Sequence, residues 1–191
     1  MRRFRKQFAI AVILLLLMSG AASAATDSKT SPDSHPPLGY KAYLKLDGIS
    51  GESTARGYEN WILLSGVQFD VTNAITVANG AGSGSGKANL NQFVVTKKSD
   101  ASSVPIFLAS LSGTAIKRGQ IALVPLGDGA TPIMTIDLDS ILIAGFSFDN
   151  AYETLLFKFD SLKFTYFPTD SKGGKGTPVS GGWSFSQNKK L

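Results

Sequence analysis

Cysteine is absent from this chain of 191 residues, and histidine occurs once, at His35. Without cysteine there is no disulfide, no lipid attached at a cysteine and no thiolate to act as nucleophile or metal ligand. With one histidine, serine and cysteine triads lack a base and histidine-based metal sites lack ligands. The stretch around it, TDSKTSPDSHPPL over residues 26–38, is polar and holds three prolines. It reads as a linker without stable structure, so His35 is expected to be solvated. No cofactor and no metal are expected.

A basic excess is missing as well, once the N-terminus is set apart. Of nineteen Lys and Arg, Arg2, Arg3, Arg5 and Lys6 fall before residue 25, leaving fifteen against fourteen acids, a net of +1. That is too little to draw the domain onto nucleic acid or an anionic membrane. Residues 8–18 are an unbroken apolar run, too short to span a bilayer comfortably. With the basic head before it and Ala22-Ser23-Ala24 behind, it reads as a secretory signal over 1–24, cleaved after Ala24. Export by the general route to the periplasm or beyond is expected, with no stable membrane anchor after cleavage. Arg2-Arg3 lacks the apolar context of a twin-arginine signal. An internal start at Met18 would give a leaderless chain.

What is abundant is strand chemistry: twelve Phe, many Val, Ile and Thr, and twenty Gly to punctuate them. The organising stretch is ETLLFKFDSLKFTYFP, residues 153–168. Leu155, Phe157 and Phe159 alternate with charged or polar neighbours, and after Asp160 the apolar parity changes to Leu162, Phe164 and Tyr166. A one-residue slip of phase is what a β-bulge produces, and a strand of this length is expected to bend and be shared by two packed sheets or to run along a small barrel.

Other strands follow the same logic. Residues 41–46 alternate Ala42, Leu44 and Leu46 against Lys41, Tyr43 and Lys45, giving one buried and one wet face. Residues 61–64 and 67–71 form a second strand with a bulge at Gly66, and residues 91–97 a third with Phe93 and Val95 inward. Residues 120–125 and 131–148 supply two more, and residues 183–186 a short last one after a Gly, Lys and Pro linker over 171–182. Asp128 lies in a turn between two glycines. One helix is predicted over 100–112: Val104, Phe107, Leu108 and Leu111 fall at i, i+3, i+4 and i+7 and are expected to be buried against the sheets, with Ser102 or Ser103 as cap and Gly113 as stop. Asp137 and Asp139 share a strand face, but in the regular polar positions of an alternating strand, and solvation or ion pairing accounts for them better than acid catalysis.

The loop NGAGSGSGK, residues 79–87, fails as a phosphate loop, because Ala81 and Ala88 stand where that motif needs Gly and Ser or Thr. A strand also follows it where a helix is required. Such a loop on a β scaffold is more often a contact element.

Taken in order, these pieces resemble the Hcp family, the haemolysin-coregulated proteins of the type VI secretion inner tube. The resemblance rests on Tyr43-Leu44-Lys45-Leu46-Asp47-Gly48 with Gly51-Glu52-Ser53, the Gly-rich loop, and Val95-Thr96-Lys97 followed by Asp100-Ala101-Ser102-Ser103. Residues 157–167 and Gly181-Gly182-Trp183-Ser184-Phe185-Ser186-Gln187-Asn188 continue it. It implies a mainly β domain over 40–188, a small β-barrel or two-sheet sandwich with one short α-helix, after a linker over 25–39 and before a tail over 189–191. It also implies a structural protein and not an enzyme, whose partner is itself: a homohexameric ring, stacked into a tube, with effector cargo in the lumen. The stacking loop would be Asn79, Gly80, Gly82, Gly84, Gly86 and Lys87. Two departures stand out: Val104 occupies the place of the family's usual proline, with Pro105 one position later, and tube subunits normally carry no leader. The other class of function open to the sequence is a monomeric secreted β-sandwich that binds a glycan or surface protein through its loops, with exposed aromatics such as Tyr40, Tyr58, Trp61 and Tyr152 as stacking candidates, although Trp61 reads better as core.

Overall fold

A computed structural model of the chain describes residues 39–74, 86–127, 131–169 and 174–191. The leader, His35 and its linker, Asn79, Gly80, Gly82 and Gly84 of the loop, Asp128 in its turn, and residues 171–173 lie outside the described residues. Residues 37–191 form one compact unit.

Among the described residues, nine strands and one helix follow in the order β1 (Tyr40–Leu46), β2 (Ile62–Asn73), β3 (Ala88–Lys98), α1 (Ser103–Ser112), β4 (Ile116–Pro125), β5 (Met134–Asp149), β6 (Tyr152–Lys158), β7 (Ser161–Tyr166), β8 (Val179–Ser184) and β9 (Lys189–Lys190). All pairings between them are antiparallel. The order β4-β1-β2-β3-β6-β5 closes on itself because β5 also pairs with β4, so six strands make a barrel and abolish their edges. β7, β8 and β9 continue the sheet beyond it, and the residues expected as a tail pair with β8 through Trp183↔Lys190.

The long aromatic stretch is two strands rather than one with a bulge. β6 and β7 lie end to end along β5, from Asp149↔Tyr152 to Met134↔Tyr166. Between them Asp160 still donates its N–H to Asp139 O at 2.9 Å. On its other side β6 pairs with β3, whereas β7 pairs with β8, so the stretch is indeed shared by two parts of the sheet. The change of phase at Asp160 has a counterpart on β5. Inward-facing Ile136 and Leu138 give way to Ile141 and Ile143 across Ser140, which adopts φ +55°. Two hydrogen-bonded strands can turn only together, so each shows the slip where it faces the other. The bulge itself sits farther along β5, between Ile143 and Gly145.

The core follows the alternation. Leu44, Leu46, Phe93, Val95, Leu155 and Phe157 are nearly or wholly inaccessible. Phe93 stacks on Phe157 at 6.2 Å and meets Phe159 edge-on at 5.2 Å, the offset geometries that aromatic quadrupoles favour. The Gly66 irregularity is present, between Leu64 and Gly66 of β2. The wet face expected for β1 is not wet at Tyr43, which is 4% exposed. The segment 47–61 folds back over it, with Tyr58 stacked on Tyr43 at 4.8 Å and Trp61 edge-on to Tyr58 at 5.1 Å. Periodicity cannot register a cover that arrives from a loop.

Candidate functional site

The described surface is most unusual at α1, and the root of that helix is fixed by a buried polar knot. Lys97, the penultimate residue of β3, is fully inaccessible, and its Nζ donates to Glu153 Oε2 at 2.8 Å and to Ser103 Oγ at 3.0 Å, with Asp100 Oδ1 also at 3.0 Å. The three ammonium protons are thereby accounted for. Glu153 on β6, opposite Lys97 in the ladder, accepts a second bond from Ser99 Oγ at 2.9 Å. Asp100 accepts from the Ser102 amide and hydroxyl, and Ser103 Oγ accepts from the Asp100 amide at 3.0 Å. Glu52 Oε1 takes the Ala101 amide at 3.0 Å, tying the segment after β1 to the same junction. These are the Lys97, Asp100–Ser103 and Glu52 positions that carry the family resemblance.

Burial, the largest single influence, pushes the Glu153 carboxyl up. The hydrogen bonds from Lys97, Ser103 and Ser99 and the Lys97 charge together outweigh it, and the net displacement is downward. The carboxylate is therefore ionised at neutral pH. A lysine between two acids could be a nucleophile, but Lys97 is inaccessible and every donor is committed, so the knot is structural. Ser102 occupies the N-cap position without a side-chain cap bond, contrary to expectation; Asp100 and Ser103 hold the orphan amides of the turn instead. Gly113, at φ +65°, stops the helix in the left-handed conformation that a side chain resists.

The predicted apolar stripe is on the wrong side of the helix for a monomer. Ile106 is the buried residue of α1, with Ala109 packed behind it, while Val104, Phe107, Leu108 and Leu111 are 66%, 44%, 57% and 70% exposed. With Val, Ile, Phe, Leu and Ala around most of its circumference, the helix offers two apolar faces, and spacing alone does not choose between them. Phe107 meets Phe146 of β5 edge-on at 5.5 Å, and Phe148, two residues on along the same strand face, is 62% exposed.

The loop predicted for stacking leaves two residues in view. Gly86 and Lys87 lead into β3, and an added Cβ at Gly86 would lie 1.7 Å from the Ala74 carbonyl oxygen. The neck of the β2–β3 hairpin thus closes backbone to backbone, and only glycine fits. The Ala88 amide then donates to Asn188 Oδ1 at 3.0 Å, pinning that neck to the turn before β9.

Two open clefts lie elsewhere. One, about 370 Å³, is lined by Lys45, Asp47, Arg118, Gln120, Asp137 and Asp139. Asp137 accepts from Gln120 Nε2 at 2.6 Å and Asp139 from Ser161 Oγ at 2.9 Å, while Arg118 pairs with Asp47 at 3.3 Å. The two carboxylates are serving their neighbouring strands. The other, about 520 Å³, lies between segment 47–61 and Lys98–Asp100, and its Glu52 and Asp100 are committed to the knot. The aromatics proposed for sugar stacking are dispersed: Tyr58 is buried, Trp61 and Tyr40 are half-buried, and exposed Tyr152 carries Lys98 over its ring at 5.7 Å. Among the described residues no group of three or more His, Cys, Asp or Glu is placed to hold a metal, and no helix is long and apolar enough to cross a membrane.

The family model described as type VI secretion system effector, Hcp, matches residues 43–166. The chain belongs to the Hcp family. Its members are structural tube proteins of type VI secretion, not enzymes, and the knot, α1 and the barrel from Tyr43 onward fall within the matched span. The fold is shared with a solved type six secretion system protein at 25% identity and TM-score 0.72, over 80% of this chain and 99% of that one. Hcp1 from Salmonella typhimurium aligns at 22% identity and TM-score 0.63, over 81% and 100% of the respective chains. A type VI secretion system effector from Yersinia pestis aligns at 21% and 0.58, over 75% and 98%. No curated protein sequence matches the chain.

Proposed function

We propose that this Hcp-family chain is an exported structural protein that assembles as a ring of six, a tube subunit or carrier related to type VI secretion. The observation that carries the reading is the family match across residues 43–166, which takes in α1 and all but the first three residues of the barrel. Rings built by one repeated contact need complementary surfaces and no catalytic group, in keeping with carboxylates and a lysine that are all spoken for by structural partners. The ring would carry effector cargo in its lumen. Rings would stack through the loop of Asn79, Gly80, Gly82, Gly84, Gly86 and Lys87, whose neck closes at Gly86. The leader over 1–24 assigns this member to the periplasm or the exterior, as a relative that works outside the contractile machine.

Sedimentation of the processed chain tests the ring: a mass of six subunits is expected, and a monomer at 100 μM, a concentration on the order of those at which weak oligomers form, would remove it. Deleting residues 80–84 is expected to leave that mass intact while abolishing end-to-end filaments in electron micrographs. N-terminal sequencing of exported material should begin just after Ala24; an uncleaved N-terminus in cytosolic protein would withdraw the export assignment.

A further inference from the structure

We propose that the outer stripe of α1, with Phe148 beside it, is buried against a second copy of this chain. The proposal rests on the ring reading and assigns it a surface. Val104, Phe107, Leu108 and Leu111 stand at i, i+3, i+4 and i+7, the spacing of a helix face made to be covered. The barrel does not cover it, because Ile106 and Ala109 already occupy the inward side. A stripe patterned for burial that the fold leaves in water requires a cover from another molecule.

Charge and area narrow the identity of that cover. The helix SVPIFLASLS has no charged residue, with no acid in its first turn and no base in its last. Nucleic acid and anionic lipid both need cations to hold them, and an interfacial membrane helix normally presents Lys or Arg on its polar side. At 44–70% exposure the four stripe residues and Phe148 leave on the order of 500 Å² of apolar surface in water. Each partner of a standard interface contributes roughly 800 Å², of which about 65% is apolar between like subunits, so this patch supplies what one side of a subunit contact needs. The contact is heterologous, since a ring joins unlike faces of successive copies. The knot of Lys97, Glu153, Asp100 and Ser103 holds the helix root, so the stripe is presented at a fixed angle and docking orders little that is not already ordered.

The test replaces Val104, Leu108 and Leu111 together by Gln, which keeps helix propensity and leaves the inward Ile106 and Ala109 in place. The wild type is expected to sediment as the assembly and V104Q/L108Q/L111Q as a monomer with an unchanged circular dichroism spectrum. Assembly of both to the same mass overturns the surface and leaves the ring standing, whereas a monomeric wild type overturns both. Binding of the wild type to zwitterionic phosphatidylcholine vesicles that the variant loses would likewise overturn the proposal, in favour of a lipid cover. Should the triple variant misfold, the single Leu111→Cys decides. The chain has no other thiol, and maleimide labelling is expected to slow at least tenfold in the assembled fraction relative to dilute monomer. Equal labelling rates in the two fractions would overturn the contact.

Discussion

The two sides of α1 are built from opposite materials. Its root is a knot of charge and hydroxyls with almost no access to water, and its inward residue Ile106 is wholly enclosed. Its outer stripe is apolar and wet. A polar group survives burial only when its donors and acceptors are matched, which is a local and geometric requirement. An apolar group survives exposure at a cost that any cover can remove. The first region therefore reports on the fold of one chain, and the second on what the chain meets.

Breaking the knot should have the largest effect. Glu153→Ala or Lys97→Met leaves its partner charged and buried, and a loss of about 3–5 kcal/mol is expected in equilibrium denaturation. Replacing both by a matched apolar pair should recover much of it. Ile106→Ala removes the inward anchor of α1 and should cost about 2–5 kcal/mol, with the far-ultraviolet helical signal weakened. Gly86→Ala forces the hairpin neck apart against the Ala74 carbonyl, at about 1–3 kcal/mol, and should speed amide exchange at Ala88.

Acid should act on the knot and spare the stripe. Because the folded state holds Glu153 below its ordinary value of 4.5, the stabilisation is fully present above that value. It is lost as the pH falls through the lowered one. Urea midpoints taken from pH 7 downward should drop in that acid range, and Glu153→Gln should flatten the fall. Leu111→Gln should have the smallest effect on the single chain, within about 0.5 kcal/mol, since the side chain is 70% exposed.

Much of this was legible before the fold. The strands of Leu44 and Leu46, of Phe93 and Val95, and of Leu155 and Phe157 announced themselves by alternation. The phase change at Asp160 marked the place where the long stretch divides, although a break rather than a bulge carries it. The family signature pointed at Lys97, Glu52 and Asp100–Ser103 without disclosing why they travel together. Glu153, the buried partner of Lys97, was missed; the only signal was an acid at an inward position of its strand, in phase with Leu155 and Phe157. Tyr43 is read as wet because its cover, Tyr58, comes from a turn-rich segment that carries no period.

By itself the sequence determined which residues alternate, where the chain must turn and that α1 has a stripe fit for burial, since all of these are properties of neighbours a few positions apart. Only the tertiary structure decided that β5 reaches back to β4 to close the barrel, that Lys97 finds Glu153, and that Ile106 rather than the stripe faces inward. Those outcomes depend on contacts between residues tens of positions apart. A helix apolar on two sides settles its orientation only when a sheet is there to choose one.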